Sequence, residues 1–179
     1  GAFDETWKDI EGRIKTYSVD NLFLRQINEW RLLLATEIIK HNPAIPELEL
    51  NDYVQSYLNR ILFLRVCEDR YIEQYKTLFE FADKGDFKAL IAKFEEADRK
   101  YNSGIFDQYL SEAIIENISS VFWHIIRQLY FPESPYSFQV FSSDILGNIY
   151  EIFLSERLSI SAAGVELVPK PENVDKDII

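Results

Sequence analysis

Residues 58–71 read Leu-Asn-Arg-Ile-Leu-Phe-Leu-Arg-Val-Cys-Glu-Asp-Arg-Tyr, a segment whose apolar side chains are not confined to one stripe of a predicted helix. They cover most of the circumference of that helix: Leu58, Ile61, Leu62, Phe63, Leu64, Val66 and Cys67. A helix that is apolar nearly all round belongs in the middle of a domain, because other elements must cover every side. We therefore predict that this segment is the central helix of the fold.

Charged side chains are set into that apolar surface. Arg65 precedes Glu68 and Asp69 by three and four residues, so the three side chains can meet on one face of the helix. A buried arginine needs such partners, because an unpaired charge in a core is costly. We therefore interpret Arg65, Glu68 and Asp69 as a structural ion-pair network that fixes neighbouring helices, with a catalytic use of these charges as the alternative.

The composition indicates a folded protein with an acidic surface. The chain has 179 residues, which is enough for one domain with a sizeable core. Hydrophobic residues make up 47% of it, so a globular protein is expected rather than a disordered tail. The net charge of -11 argues against a protein that wraps nucleic acid by bulk electrostatics, since phosphate binding needs a clustered basic surface. A local basic patch is still compatible with that charge.

The single cysteine, Cys67, lies inside the predicted central helix and has no partner for an internal disulfide. Its apolar surroundings indicate a small buried hydrophobe in a reducing compartment, so we predict a cytoplasmic protein. No run of about 18 apolar residues is present, and we expect no membrane span. The chain begins at Gly1 and contains no methionine, so we expect it to be a piece of a longer protein.

Apolar residues recur at helical spacing in seven segments, which are residues 3–17, 22–41, 53–71, 75–82, 87–101, 110–130 and 144–158. A break at residues 18–21, with Asp20 as an N-cap, is expected between the first two segments. Pro43 should end the second, because the residue before a proline avoids the helical region. Asn51 or Asp52 is expected to cap the central helix, and Asp86 the helix that follows it.

The C-terminal part contains the only expected extended structure. Residues 159–168 place apolar side chains on both sides of Ala-Ala-Gly and predict a hairpin-like segment, and residues 136–141 a short extended piece. The predicted fold class is all-α, an irregular multi-helix bundle with a short extended or hairpin segment near the C-terminus. We assign residues 1–157 to the helical domain and residues 158–179 to an extended tail.

The motifs that usually carry catalysis are missing. No Gly-rich loop opens a predicted helix, so neither a dinucleotide fingerprint nor a P-loop is expected. A zinc site needs clustered cysteine and histidine, whereas this chain has one Cys and two His far apart. His124 lies among apolar residues and is interpreted as a hydrogen-bonded core or groove histidine, with a general base as the alternative. We therefore predict no catalytic, cofactor-binding or metal-binding residue in this chain.

Basic residues offer two possible contacts with the DNA backbone. One set would line a side of the first two predicted helices: Arg13, Lys15, Arg25 and Arg31. Arg99 and Lys100 form another. The alternative is that these are solvated basic residues within an acidic surface.

Several segments, taken in order, resemble landmarks of one family. The most specific is Asn-Arg-Ile-Leu-Phe-Leu-Arg-Val-Cys-Glu-Asp-Arg at residues 59–70. The others are Leu-Phe-Leu at 22–24 with Glu-Trp-Arg at 29–31 and Asn-Pro at 42–43, Tyr-Asn-Ser-Gly-Ile-Phe at 101–106, Pro-Tyr-Ser-Phe at 135–138, and Asp-Ile-Leu-Gly-Asn-Ile-Tyr-Glu-Ile-Phe-Leu at 144–154. From about Asp20 to Ile179 the chain is similar to the helical region of Type IIG-like restriction–modification enzymes, in which one polypeptide carries endonuclease and adenine-specific DNA methyltransferase activities.

The resemblance implies a role without chemistry of its own. In this family the helical block is a connector, or spacer, between an N-terminal nuclease domain and the methyltransferase domain, and it positions one relative to the other. Its partners would be those two domains and double-stranded DNA. S-adenosylmethionine, and Mg for the nuclease, are implied for the parent but not for this chain, since none of the family's catalytic motifs falls within it. The alternative is a stand-alone acidic helical protein-interaction module without enzymatic activity.

Overall fold

The computed structural model describes residues 2–101, 112–134, 151 and 155–170, with side chains described from residue 21 onward and, after the first gap, from residue 114. Within these ranges the chain forms five helices and one antiparallel hairpin: α1 (Ala2–His41), α2 (Glu47–Asp69), α3 (Thr77–Lys84), α4 (Phe87–Tyr101), α5 (Glu112–Arg127), β1 (Glu156–Ser161) and β2 (Gly164–Pro169). The predicted all-α class with a C-terminal hairpin is confirmed. The predicted extended piece at residues 136–141 lies outside the described residues.

Helix α1 is continuous from Ala2 to His41, so the predicted break at residues 18–21 is wrong. Those residues are Ser-Val-Asp-Asn, and none of them is a glycine or a proline. Each of them is less favourable in a helix than alanine by only about 0.5 kcal/mol, a cost that a long helix tolerates. The predicted end before Pro43 is confirmed, and the Asn42 amide closes the helix by donating to the Ile38 carbonyl oxygen at 2.8 Å.

Helix α2 is the central helix, as its apolar circumference predicts. Thirteen of its 23 residues are buried, and it packs against the other helices and the hairpin. The Tyr57 ring lies 6.2 Å from the Phe94 ring of α4 and 5.3 Å from the Phe122 ring of α5, measured between centroids. The prediction that Asn51 or Asp52 caps this helix is wrong, because α2 begins earlier, at Glu47, directly after Pro46. A proline fixes φ but offers no side-chain acceptor, so this start has no side-chain cap.

The connection between α3 and α4 is a short turn. Gly85 follows α3 with φ +62°, a left-handed conformation in which glycine carries no Cβ penalty. Asp86 then caps α4 as predicted, since its Oδ1 accepts from the Ala89 amide at 3.1 Å. Helix α3 starts at Thr77, two residues later than predicted, because Lys76 has φ +67° and cannot continue a right-handed helix.

The hairpin packs one face on the helical core. Leu158 is fully buried, and the side chains of Val165 and Leu167 pack beside it. Strand β1 begins at Glu156, so the predicted helix over residues 144–158 extends too far. The assignment of residues 158–179 to a tail toward another domain stays a prediction.

Candidate functional site

Arg65 lies at the point where α2 meets the residues that follow α5. Its side chain is about 5% exposed, and its Nη1 donates to Asp69, which is itself only 7% exposed. Its Nε donates to the Leu129 carbonyl oxygen at 2.9 Å. The guanidinium carbon also lies 4.3 Å from the centroid of the Tyr130 ring, a cation–π distance. Arg65 therefore ties α2 to the segment after α5 through charge, a hydrogen bond and stacking.

Glu68 is buried beside this pair but bonds to other groups. Its Oε1 accepts from the Tyr130 hydroxyl at 2.6 Å and from the Lys76 amide at 2.8 Å, and its Oε2 accepts from the Leu78 amide at 3.3 Å. Burial raises the pKa of Glu68, although these hydrogen bonds and the charge of Arg65 act in the opposite direction. Glu68 thus serves α3 as an N-terminal cap supplied from another helix, because Lys76 gives no side-chain cap of its own.

A second polar cluster joins the turn after α2 to α4. The Glu73 carboxylate accepts from Lys93 Nζ at 2.8 Å, from the Tyr101 hydroxyl at 2.7 Å and from Lys100 Nζ at 3.2 Å. Burial alone would raise the pKa of Glu73, but these three donors lower it to about 2. Burial and the charge of Glu73 raise the pKa of the neighbouring Cys67 thiol, which disfavours the nucleophilic thiolate. No local sequence pattern predicts this cluster, because Glu73 is 20 to 28 residues away from its three partners along the chain.

The low pKa of Glu73 makes its contribution to stability depend on pH. A carboxylate with a lowered folded-state pKa stabilises the fold above its ordinary pKa of 4.5, and that contribution is lost as the pH falls toward about 2. At pH 6 we expect the free energy of unfolding of the unsubstituted 179-residue chain to exceed that of the Glu73→Gln variant by about 2 kcal/mol. This difference should narrow between pH 4.5 and pH 3. Urea titrations at several pH values measure it.

The matched control for that experiment is Glu95→Gln. Glu95 is an exposed carboxylate on the same helix as Lys93. Its replacement should leave the free energy of unfolding nearly unchanged at every pH. A Glu73→Gln difference that stays constant from pH 6 to pH 3 would show that the ionised carboxylate is not the stabilising species.

Both histidines of the chain lie within the described residues, and neither belongs to a group of potential metal ligands there. Within those ranges, no three His, Cys, Asp or Glu side chains come close enough to hold a metal ion. His124 was interpreted as a core or groove histidine, and the core position is wrong, since its side chain is exposed. It follows buried Trp123 and precedes buried Ile125 in the sequence, but it lies on the face of α5 that points to solvent. A helix packed on one side keeps such a face even where most of its residues are apolar. His41 is exposed at the end of α1, 3.8 Å from Glu37.

The four predicted DNA-contact residues do not form one described surface. Arg25 is exposed, whereas the side chains of Arg13 and Lys15 lie outside the described part. Arg31 is 2% exposed, and its Nη2 donates to the Glu156 carbonyl oxygen at 2.8 Å, so it lies under the hairpin and not on a DNA-facing surface. Burial lowers the pKa of Arg31 to about 10, which still leaves it charged at neutral pH.

Side chains of α1 and α2 hold the outer edge of β1. The Asn51 amide pairs with Leu158 as a strand would, donating to its carbonyl oxygen at 3.0 Å and accepting from its N–H at 2.8 Å. The Glu47 carboxylate accepts from the Ile160 N–H at 2.8 Å and from Arg157 Nη1 at 2.6 Å. With Arg31 bound to the carbonyl of Glu156, the outward backbone groups of alternate β1 residues are engaged by helix side chains. The helices therefore fix the position of the hairpin.

Comparison with known proteins confirms the family resemblance. The chain is 54% identical over 180 residues to the Escherichia coli protein named Type II restriction enzyme and methyltransferase RM.Eco57I. The match covers 100% of this chain and 18% of that protein, so the chain spans less than a fifth of its relative. No protein-family model matches the chain, and no solved structure matches it. Among the described residues, no helix combines the length and apolar character that a membrane span requires.

Proposed function

We propose that this chain, which is related over its whole length to part of a restriction enzyme and methyltransferase, is a helical connector that holds an endonuclease at a fixed position relative to an adenine-specific DNA methyltransferase. S-adenosylmethionine, and Mg for the nuclease, would then be bound by the rest of the parent enzyme, whose substrate is DNA. Arg13, Lys15 and Arg25 remain proposed contacts to the DNA backbone. Arg31 is no longer proposed as one, because it is buried.

Rigidity supports the connector role. Arg65 joins α2 to the residues after α5, Glu68 joins α2 to α3, and Glu73 joins the turn after α2 to α4. Each of these links uses a charged group that is at most 10% exposed. Buried polar groups have strict geometric requirements, so such links hold the helices in one arrangement. A body that resists deformation can transmit a fixed distance and orientation between two domains.

The observation that carries the proposal is the open edge of β2. The outward backbone groups of β1 belong to Glu156, Leu158 and Ile160, which pair in register with Pro169, Leu167 and Val165. In an antiparallel ladder, hydrogen-bonded pairs alternate with non-hydrogen-bonded pairs, and in the latter both residues direct their N–H and C=O groups away from the opposite strand. Val165 and Leu167 belong to such pairs, so their backbone groups point away from β1. Within the described residues these groups have no hydrogen-bond partner. A fixed hairpin with one open edge is suited to receive a strand from an adjoining domain.

Amide hydrogen exchange tests this role. We expect the Val165 and Leu167 amides to exchange at least tenfold more slowly in the full-length enzyme than in the 179-residue chain, because pairing with a strand protects them. The Glu166 amide, which faces β1, is the internal control and should be protected in both. Equal exchange of Val165 and Leu167 in the two proteins would refute docking through this edge, and calorimetric binding of S-adenosylmethionine to the isolated chain would refute a connector without chemistry.

A further inference from the structure

We propose that the turn between α2 and α3, together with the end of α4, is a contact surface for a DNA strand. This surface, called here the turn surface, consists of Arg70, Tyr71, Ile72, Tyr75, Lys76 and Lys100. The inference rests on the proposed function, because DNA is the substrate of the proposed parent. It is independent of the hairpin, whose open edge belongs to a different part of the chain.

The turn surface exposes large side chains that a fold normally covers. Tyr71 is 83% exposed, Ile72 is 54% exposed and Tyr75 is 48% exposed, within five consecutive residues. A single exposed apolar side chain on a protein surface needs no explanation, but a contiguous group of them marks a site of interaction. The turn surface therefore presents apolar and aromatic area to a partner.

The backbone of this turn is fixed by hydrogen bonds to the end of α2. Tyr71 and Lys76 both have positive φ, 60° and 67°, which is rare for residues with bulky side chains. The Ile72 and Glu73 amides both donate to the Cys67 carbonyl oxygen, at 2.9 and 3.1 Å. Strained conformations of this kind persist where the surroundings determine them fully, and they are enriched at ligand-contact sites. The exposed side chains of the turn are thus presented from a fixed backbone.

The charge of the turn surface is opposite to that of the whole chain. Glu73 is the single carboxylate between Arg70 and Phe79, and it is only 10% exposed and surrounded by three donors. Asp69 is engaged by Arg65. The charges left facing solvent are therefore cationic: Arg70, Lys76, and Lys100, which is 49% exposed, with Arg99 exposed beside it. Along α3 and α4 the next exposed carboxylates are Glu80 and Glu96, and Glu96 lies 3.6 Å from Lys93.

A DNA strand fits this combination of charge and aromatic area. Phosphates are attracted by a local group of lysine and arginine side chains even on a protein of negative net charge. An exposed tyrosine adds a flat face on which a base can stack, and stacking does not depend on the identity of the base. A protein partner with an apolar surface would use Tyr71 and Ile72 but would gain little from the three cations. The cations therefore favour DNA.

The test is binding of the 179-residue chain to a labelled DNA duplex of about 20 base pairs and to one of its single strands, by fluorescence anisotropy between about 50 and 200 mM salt. We expect the double variant Arg70→Ala/Lys76→Ala to bind the duplex at least tenfold more weakly at low salt. Its slope of log affinity against log salt should fall by about 2, because two phosphate contacts are lost. Tyr71→Ala should weaken binding of the single strand more than binding of the duplex.

Two further variants serve as controls. Lys84→Ala/Lys88→Ala removes the same charge from exposed positions outside the turn surface. Its affinity for the duplex should stay within twofold of that of the unsubstituted chain. Arg70→Lys/Lys76→Arg keeps both positive charges and should bind the duplex about as tightly as the unsubstituted chain. The proposal is overturned if Arg70→Ala/Lys76→Ala binds the duplex as tightly as the unsubstituted chain does, or if the unsubstituted chain does not bind the duplex at low salt. Neither result affects the exchange experiment on β2, so the connector role can succeed or fail separately.

Discussion

Replacing Arg65 by alanine is expected to lower the free energy of unfolding by about 3–5 kcal/mol, because the change leaves buried Asp69 without its counter-charge. The same change removes the hydrogen bond to the Leu129 carbonyl oxygen and the contact with the Tyr130 ring, and it leaves a cavity between α2 and the residues after α5. Chemical denaturation followed by circular dichroism measures the loss.

The matched control is Arg70→Ala, which deletes an exposed arginine five residues further along the chain and should change stability by no more than about 0.5 kcal/mol. A double variant separates charge from packing. Because replacing both members of a buried pair by apolar residues costs less than removing one, Arg65→Met/Asp69→Leu should be more stable than Arg65→Met alone. If Arg65→Ala unfolds at the same denaturant concentration as the parent, Arg65 does not stabilise the fold.

Replacing Glu68 by alanine is expected to have a comparable effect, a loss of about 3–5 kcal/mol, for a different reason. The Tyr130 hydroxyl and the amides of Lys76 and Leu78 would all lose their acceptor, and each buried unsatisfied group costs about 1–3 kcal/mol. Glu68→Gln keeps one acceptor oxygen and should lose less than half as much. Thermal and urea unfolding of the two variants give the comparison.

Two measurements identify the mechanism of the Glu68 effect. Adding Tyr130→Phe to Glu68→Ala removes the unpaired hydroxyl, so the double variant should be more stable than the sum of the single effects implies. Amide exchange at Lys76 and Leu78 should accelerate selectively, because α3 loses its N-terminal cap. Glu95→Ala, at an exposed position on α4, is the control and should change neither quantity. Uniform acceleration throughout the helices would instead indicate a general loss of packing.

The parts of this molecule that depend on short-range spacing could be predicted from the sequence. The interval of four residues between Arg65 and Asp69 places them on one face of any helix, and the structure brings them into contact. The capping of α4 by Asp86 follows equally from local geometry. The predicted break in α1 is wrong because weak helix propensities at residues 18–21 suggest a boundary but cannot enforce one.

The contacts of Glu68, Asn51 and Arg31 could not be predicted, because their partners are backbone groups, and for Glu68 also the Tyr130 hydroxyl, that only the folded chain brings close. Asn51 was expected to cap α2 and instead pairs with Leu158, 107 residues away. Arg31 was expected to face DNA and instead donates to the carbonyl of Glu156, 125 residues away. A polar side chain satisfies whichever buried donor or acceptor lies within reach, and only the packed chain determines which one that is.

The sequence by itself determined the helical class, the central position of α2, the hairpin near the C-terminus and the resemblance to restriction–modification enzymes. Each of these depends on apolar periodicity or on residue order, which are properties of the linear chain. Only the tertiary structure decided which edge of the hairpin is held by helix side chains, which arginines are buried, and that cationic and aromatic side chains meet at the turn after α2. The physical reason is that burial, charge compensation and strand-edge pairing arise from contacts between residues distant in sequence, which no local pattern encodes.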